Sequence, residues 1–341
     1  MNNTTEKIDL KEFIPDMINC GRYGKQYQIK PIVTETEKFY TITYYTDIHN
    51  QFGVTRACRK YSANIQKYIS RSNRTFEVLG LLQGEMSKTY NKTIIFCNCE
   101  PNLNREVMDW YNDELNIKHG DWHWYIKVNV NKPADENYKK FVEDKVINYW
   151  LKETKVAFDM RYPTTVSYIK NTLHTELKER DYGSLIIEFK SSIISEVFKN
   201  FVKKITYEHI LKSSFDEIKA YMRGIIAAES CVEINKPIMK YRVHISASNP
   251  DEKLIFHKCL ERLGVESKIY GRDKLIVSKR HNNFKLLDLN LMSLNPTKFK
   301  KFAELISCYY PGESKMMIVK EEEPIYTNIL SIPQSLYTFS V

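Results

Sequence analysis

Along this chain the spacing of apolar residues passes from a helical to an alternating rhythm, and it does so twice in the same order. The first passage opens at Val78-Leu79-Gly80-Leu81-Leu82-Gln83-Gly84-Glu85-Met86 and the second at Met222-Arg223-Gly224-Ile225-Ile226-Ala227-Ala228-Glu229-Ser230. Both read as helices, and Ser214-x-x-Glu217 ahead of the second is a capping box. Superimposed, Gly80 falls on Gly224, Gly84 on Ala228 and Glu85 on Glu229, so the repeat spacing is 144 residues. Downstream, Lys88–Lys92 leads into Thr93–Cys99 and Glu100-Pro101, while Cys231–Pro237 leads into Arg242–Ser248 and Asn249-Pro250. Each copy predicts a strand, a turn with Asn-Lys, a second strand, and a proline opening a helix. Those helices are expected over Asn102–Leu115 and Asp251–Leu263. A second hairpin follows, Trp122–Val130 with Leu185–Phe189 in the first copy and Ser267–Ser278 in the second. Closing helices near Ser192–Lys203 and His281–Leu289 complete an αββαββα plan twice over.

The small residues in each motif stand four apart, on one face of a helix. Gly80/Gly84 and Gly224/Ala228 therefore predict two helix backbones in close approach. Each carboxylate follows directly after that stripe, so pairing the helices would bring Glu85 and Glu229 together at one end. Two like charges held that close call for a cation or a proton between them, which is the logic of a metal site.

The two nine-residue motifs, each with its strand-helix-strand sequel, resemble the two halves of a single-chain LAGLIDADG homing endonuclease, over about 74–305. The chain departs from that pattern where Gln83 and Ala227 stand at the motif's first acidic position and Met86 and Ser230 replace its last glycine. The second acidic position, which in the family binds metal, is Glu in both copies. The resemblance implies an α+β fold of two pseudo-symmetric halves whose antiparallel sheets form a saddle over DNA. It also implies Mg²⁺-dependent hydrolysis of both strands at a long specific site, leaving short 3′ overhangs, and mobilisation of the enzyme's own intron. On this reading Glu85 and Glu229 are metal ligands, and a basic residue is expected near each scissile phosphate. Lys298 in Asn295-Pro296-Thr297-Lys298 and Lys212 in Ile210-Leu211-Lys212 are the candidates. The implied partner is double-stranded DNA, with intron RNA also possible for a maturase of the same fold, and a single chain is expected to act as a monomer. A DNA-binding regulator that has lost cleavage is a third reading, disfavoured by retention of both glutamates. An intein is disfavoured because the chain starts with Met1 and ends without a His-Asn junction.

The strand patterns bear on the same question without the family. In Trp122–Val130, Trp122, Trp124, Ile126 and Val128 take one face while His123, Tyr125, Lys127 and Asn129 take the other. In Arg242–Ser248 the polar face holds Arg242, His244, Ser246 and Ser248, and the Ser267–Ser278 hairpin adds Lys268, Tyr270, Arg272 and Lys274. Donor-rich faces of one-sided sheets suit contacts to base edges and phosphates, and equally suit plain hydration. The corresponding first-copy strand offers Thr93, Ile95 and Cys97, a less polar set.

Charge changes the picture modestly: 51 Lys+Arg against 42 Asp+Glu give +9, which favours a polyanionic partner without specifying one. The seven cysteines are odd in number and form no C-x-x-C pair, so reduced thiols and no zinc site are expected. His119, Asp121 and His123 lack a fourth ligand. No apolar stretch suits a signal peptide or a membrane span, which predicts an intracellular protein, cytoplasmic or organellar, and not a secreted one. The expected organisation is an extension over 1–73, a first half over 74–212 with an insertion at about 132–183, a second half over 213–308, and a tail from 309 to 341. Asp47–Arg56 weakly resembles a helix-turn-helix turn, the alternative being an arm packed on the core. The insertion's stretch Tyr138–Leu151 reads as helical, and Pro311, Pro324 and Pro333 suggest an irregular tail.

Overall fold

The N-terminal extension is a run of strands, each short of a hydrophobic face until it meets the next element. The computed structural model describes residues 6–22, 25–49, 55–86, 93–129, 136–156, 166–169, 182–247 and 249–310. Its first strands are β1 (Lys7–Asp9), β2 (Ile18–Arg22), β3 (Lys25–Ile29), β4 (Ile32–Glu35), β5 (Phe39–His49), β6 (Thr55–Gln66) and β7 (Tyr68–Ser70). β2 pairs with β3, β1 with β7, and β4-β5-β6 form an antiparallel sheet. One face of that sheet buries Tyr40, Ile42, Tyr44 and Ile65, and the Tyr44 hydroxyl lies 2.7 Å from Ser192 Oγ of the first half. The helix-turn-helix resemblance is corrected here. Residues 47–49 and 55–56 are paired strands, as their alternating β-branched and aromatic neighbours favour, and 50–54 lie outside the described residues.

The first half runs α1 (Asn73–Glu85), β8 (Thr93–Asn98), α2 (Pro101–Leu115), β9 (His123–Asn129), α3 (Glu136–Thr154), β10 (Val166–Ile169), β11 (Ser184–Lys190) and α4 (Ser192–Lys204). The second runs α5 (Phe215–Glu229), β12 (Ser230–Asn235), β13 (Lys240–Ser246), α6 (Pro250–Arg262), β14 (Lys268–Tyr270), β15 (Lys274–Val277), α7 (Arg280–Asp288) and α8 (Pro296–Ser307). The two four-stranded sheets have the orders β10-β9-β11-β8 and β12-β13-β15-β14. β9 and β11 pair antiparallel, Ile126 opposite Leu185, although the insertion separates them in sequence. The insertion adds β10, which joins β9 in parallel, so the first sheet is not antiparallel throughout. Its helix α3 packs against α2, with Trp150 wholly buried and its indole N–H donating to the Tyr182 carbonyl at 2.9 Å. The first-copy turn at Asn91-Lys92 and the tail from 311 lie outside the described residues.

The centre of the molecule is the α1/α5 pair. Ser72 caps α1 through the Thr75 N–H, and Ser214 with Glu217 closes the expected capping box on α5. A Cβ on Gly80 would collide with the Tyr221 carbonyl and come within 2.9 Å of the Ile225 nitrogen, and one on Gly224 would meet the Glu77 carbonyl. Gly84 faces Ala228 in the same way. Residues 80 with 224 and 84 with 228 are thus neighbours, so the helices run in the same direction and in register. Two ion pairs repeat the register: Arg71 with Glu217 at 2.5 Å, and Glu77 with Arg223.

Candidate active site and nucleic-acid interface

Register fixes the site. Glu85 and Glu229 are the last residues of α1 and α5, and parallel packing sets both carboxylates at the same end, where each chain passes into its sheet. A Cβ at Gly84 would lie 3.5 Å from Glu229 Oε1, so the neighbouring helix presents its carboxylate directly against the end of α1. Burial first, and then the charge of Glu229, push the Glu85 carboxyl up to about 7, while Lys298 and a hydrogen bond from Asn98 oppose that rise. Asn98, at the end of β8, is buried and donates from Nδ2 to Glu85 Oε1 at 2.9 Å.

Lys298 enters from α8, a helix that the sequence reading did not anticipate. Asn295 caps it by accepting from the Lys298 N–H at 2.9 Å, and its Nδ2 donates to the Ala227 carbonyl at 3.2 Å. The Lys298 ammonium donates to the carbonyls of Ala227 at 2.8 Å and Ala228 at 2.7 Å. These belong to the last turn of α5, whose carbonyls have no intrahelical partner. Burial lowers the Lys298 pKa, and Glu85, Cys99 and Glu229, in that order, raise it against that. A half-buried ammonium thus stands beside the paired carboxylates with two of its three N–H donors occupied.

Lys212 does not join it. It ends a short 3-10 turn immediately ahead of Ser214, the N-cap of α5. Fifteen helical residues separate that end from Glu229, about 22 Å at 1.5 Å per residue. Of the two candidate lysines, one expected from each half, the structure brings only Lys298 to the acids: the linker sets Lys212 at the far end of the helix, where it is exposed.

Cys97, Cys99 and Cys231 flank the acids. Burial and the Glu85 charge push the Cys97 thiol up to about 11, and burial raises Cys99. Protonated thiols are poor nucleophiles and poor metal ligands at neutral pH. Among the described residues no group of three or more His, Cys, Asp or Glu side chains is placed to hold a metal. His119 instead pairs with Asp109 at 2.8 Å. The two glutamates still fit one kind of ion. Mg²⁺ binds through one or two carboxylates and takes its other oxygens from water and substrate phosphate.

Gln83, at the motif's first acidic position, closes a buried polar network. It donates to Glu252 Oε1 at 3.0 Å and accepts from Thr206 Oγ1 at 3.1 Å. Thr206 Oγ1 lies 2.8 Å from the Tyr221 hydroxyl, and Tyr207 donates to Glu252 at 2.9 Å. Both halves and the segment joining them contribute to it.

Each sheet has one covered and one open face. Trp122, Trp124, Ile126 and Val128 are buried, whereas His123 and Tyr125 are half-buried and Lys127 is exposed. Nothing is described for the side chain of Asn129, and Ser248 lies outside the described residues. In the second sheet Val243, Ile245 and Ala247 are buried, and Arg242, His244 and Ser246 occupy the other face. Cross-strand pairing sets His244 beside Ile276 and Lys268, and Ser246 beside Lys274 and Tyr270. Arg272 is exposed in the turn between β14 and β15. The open face also carries Glu233, opposite Arg242, which binds His244 at 2.7 Å and Lys240 at 2.6 Å. Among the described residues no helix is long and apolar enough to cross a membrane.

No family model and no curated protein matches the chain. Solved structures do. The homing endonuclease I-DmoI in complex with DNA and Ca is 16% identical, covering 68% of this chain and 96% of its own, at a TM-score of 0.33. I-DmoI with DNA and Mn gives 14%, 64%, 97% and 0.32. The N-terminal LAGLIDADG domain of WhiA gives 11%, 70%, 82% and 0.31. At such TM-scores the likeness decides nothing about activity; the geometry of the site has to.

Proposed function

We propose that this chain is a divalent-metal-dependent endodeoxyribonuclease of the homing type, acting as a monomer on both strands of a long, specific DNA duplex. The observation that carries the reading is the pairing of Glu85 and Glu229 at one end of a glycine-packed helix pair, beside the half-buried Lys298. One carboxylate comes from each half, so a single chain supplies a ligand for each of two pseudo-equivalent centres. Mg²⁺ held there would polarise the phosphodiester and supply hydroxide near neutral pH. Glu85 and Glu229 would hold the metal at the two centres, and Asn98 orients Glu85. Lys298 sets positive charge where the phosphorane's negative charge develops. The open sheet faces, with Lys127, Arg242, Lys268, Tyr270 and Lys274, bind the flanking duplex.

The test uses purified protein, Mg²⁺ and a randomised duplex library. Enrichment of a discrete site with double-strand breaks is expected. Glu85→Gln and Glu229→Gln should bind that site within a few-fold of wild type and leave it uncut. Binding without cutting by the wild-type chain would point to a regulator, and selective retention of its own intron RNA to a maturase. Full Mg²⁺-dependent cleavage by either Gln variant would remove the assignment of the acids.

A further inference from the structure

The hairpin joining β12 to β13 ends in two large apolar side chains that the chain does not cover. Ile238 is 65% and Met239 77% exposed, beyond every other large apolar residue described, with Tyr270 next at 64%. The closing strand pair, Asn235 opposite Lys240, lies five residues beyond the Ser230–Ile245 pair at the carboxylate end. At 3.4 Å per residue that is a reach of about 17 Å along the open face. Met239 also takes a left-handed backbone, φ 50°, which a side chain of this kind adopts at a cost. Its N–H donates to the Lys236 carbonyl at 3.1 Å, holding the tip in that shape. Lys236 and Lys240 flank it, each near a carboxylate: Glu304 at 4.0 Å and Glu233 at 2.6 Å.

The first copy differs. Its Met86–Phe96 bridge leaves nine residues, 87–95, to make the corresponding connection, against fourteen, 231–244, between Ser230 and Ile245. Its sequence there, Lys88-Thr89-Tyr90-Asn91-Lys92, has no adjacent aliphatic pair. Among the described residues, an extended, apolar-tipped arm is present in the second half alone.

We propose that Ile238 and Met239 determine specificity at the outer end of the second half-site by packing on thymine C5-methyl groups in the major groove. The proposal rests on the DNA-binding reading above. An apolar tip gains nothing from phosphates, and the thymine methyl is the apolar group that the major groove offers. The two lysines bring the tip to a polyanion, and the tip continues the face that carries Arg242 and His244.

The experiment compares the full chain with an Ile238→Ser/Met239→Asn double variant. Both positions are exposed, and Asn accepts the left-handed backbone, so the variant should keep its melting temperature. Library selection with the wild type should enrich thymine at one or two positions at one outer end of the site, and the variant should lose that enrichment only. On a selected duplex, replacing those thymines by deoxyuridine should weaken wild-type binding about fourfold per methyl lost and leave variant binding unchanged. A wild type indifferent to deoxyuridine, or a variant that still discriminates, would overturn the proposal while site-specific cleavage stood. If no duplex is enriched at all, the DNA reading and this proposal fail together. A concentration-dependent dimer that the double variant abolishes would assign the tip to self-association and also overturn it.

Discussion

Lys298 shows how a single side chain is shared between structure and chemistry. Its ammonium caps two carbonyls at the end of α5 and lies among the charges of Glu85 and Glu229. Lys298→Met keeps the stem and removes the donor. Loss of these two hydrogen bonds, which leaves the Ala227 carbonyl with Asn295 alone, should lower stability by about 1–3 kcal/mol, read by urea unfolding. If the charge also serves the reaction, cleavage should fall about a hundredfold or more, with binding in Ca²⁺ nearly unchanged. A rate loss no larger than the loss of folded protein would leave Lys298 as a cap alone. Asn98 was not legible as a site residue, because its bond to Glu85 depends on how β8 returns past the end of α1. Strand alternation alone did imply its inward direction.

At the scale of elements, the α1/α5 contact is the most constrained feature of the molecule. Gly80→Ala would drive a methyl into the Tyr221 carbonyl, and backbone on both sides cannot rotate away. We expect a loss of about 3 kcal/mol, at the upper end for overpacking, with Gly224→Ala equally costly. Denaturation midpoints within a few tenths molar of wild type would contradict the helix register. The same interface contributes an acid-sensitive pair. Burial raises the Glu217 pKa, but bonds from Arg71 and the Ser214 N–H outweigh it and hold the carboxyl below its usual value. A depressed folded pKa contributes stability above the unfolded value, about 4.3, which is lost as pH falls through the folded value. Arg71→Gln should therefore lower stability at pH 6 more than at pH 3, and an equal loss at both would show that the pair contributes no pH-dependent term.

At the scale of the whole molecule, the two halves share a plan and differ in what they present. Between Glu85 and its sheet the first half sets Asn98, whereas pairing of Met86 with Phe96 and Ser230 with Ile245 gives Asn98 the counterpart Ala247. The open face of the second sheet carries Arg242, His244 and Lys274, and that of the first carries Thr93, Ile95 and Cys97 on the strand equivalent to β13. Binding to the selected duplex should weaken steeply with salt, and a flat plot of log K against log salt would exclude a wrapped mode. Arg242→Ala should cost about 1–3 kcal/mol and relax preference at one position if it reads guanine. A uniform loss across all single-base variants of the site, with the salt slope reduced by about one, would assign Arg242 to phosphate instead.

The sequence by itself determined the repeat, most of the helices and strands within each copy (α8 and β10 excepted), and the two acids, because these are written in local periods and small-residue spacing that need no distant partner. It also located the insertion between strands that pair across it. Tertiary structure alone decided which lysine meets the acids. Lys212 and Lys298 look equivalent along the chain, but one lies at each end of α5, and only packing of α8 beneath the helix end brings a cation to the carboxylates. The Gln83–Glu252 network was hidden for the same reason: its members are 169 residues apart and become neighbours only when the two halves close on each other. Local periodicity records which face of an element is buried, whereas the partner it is buried against is fixed by the fold as a whole.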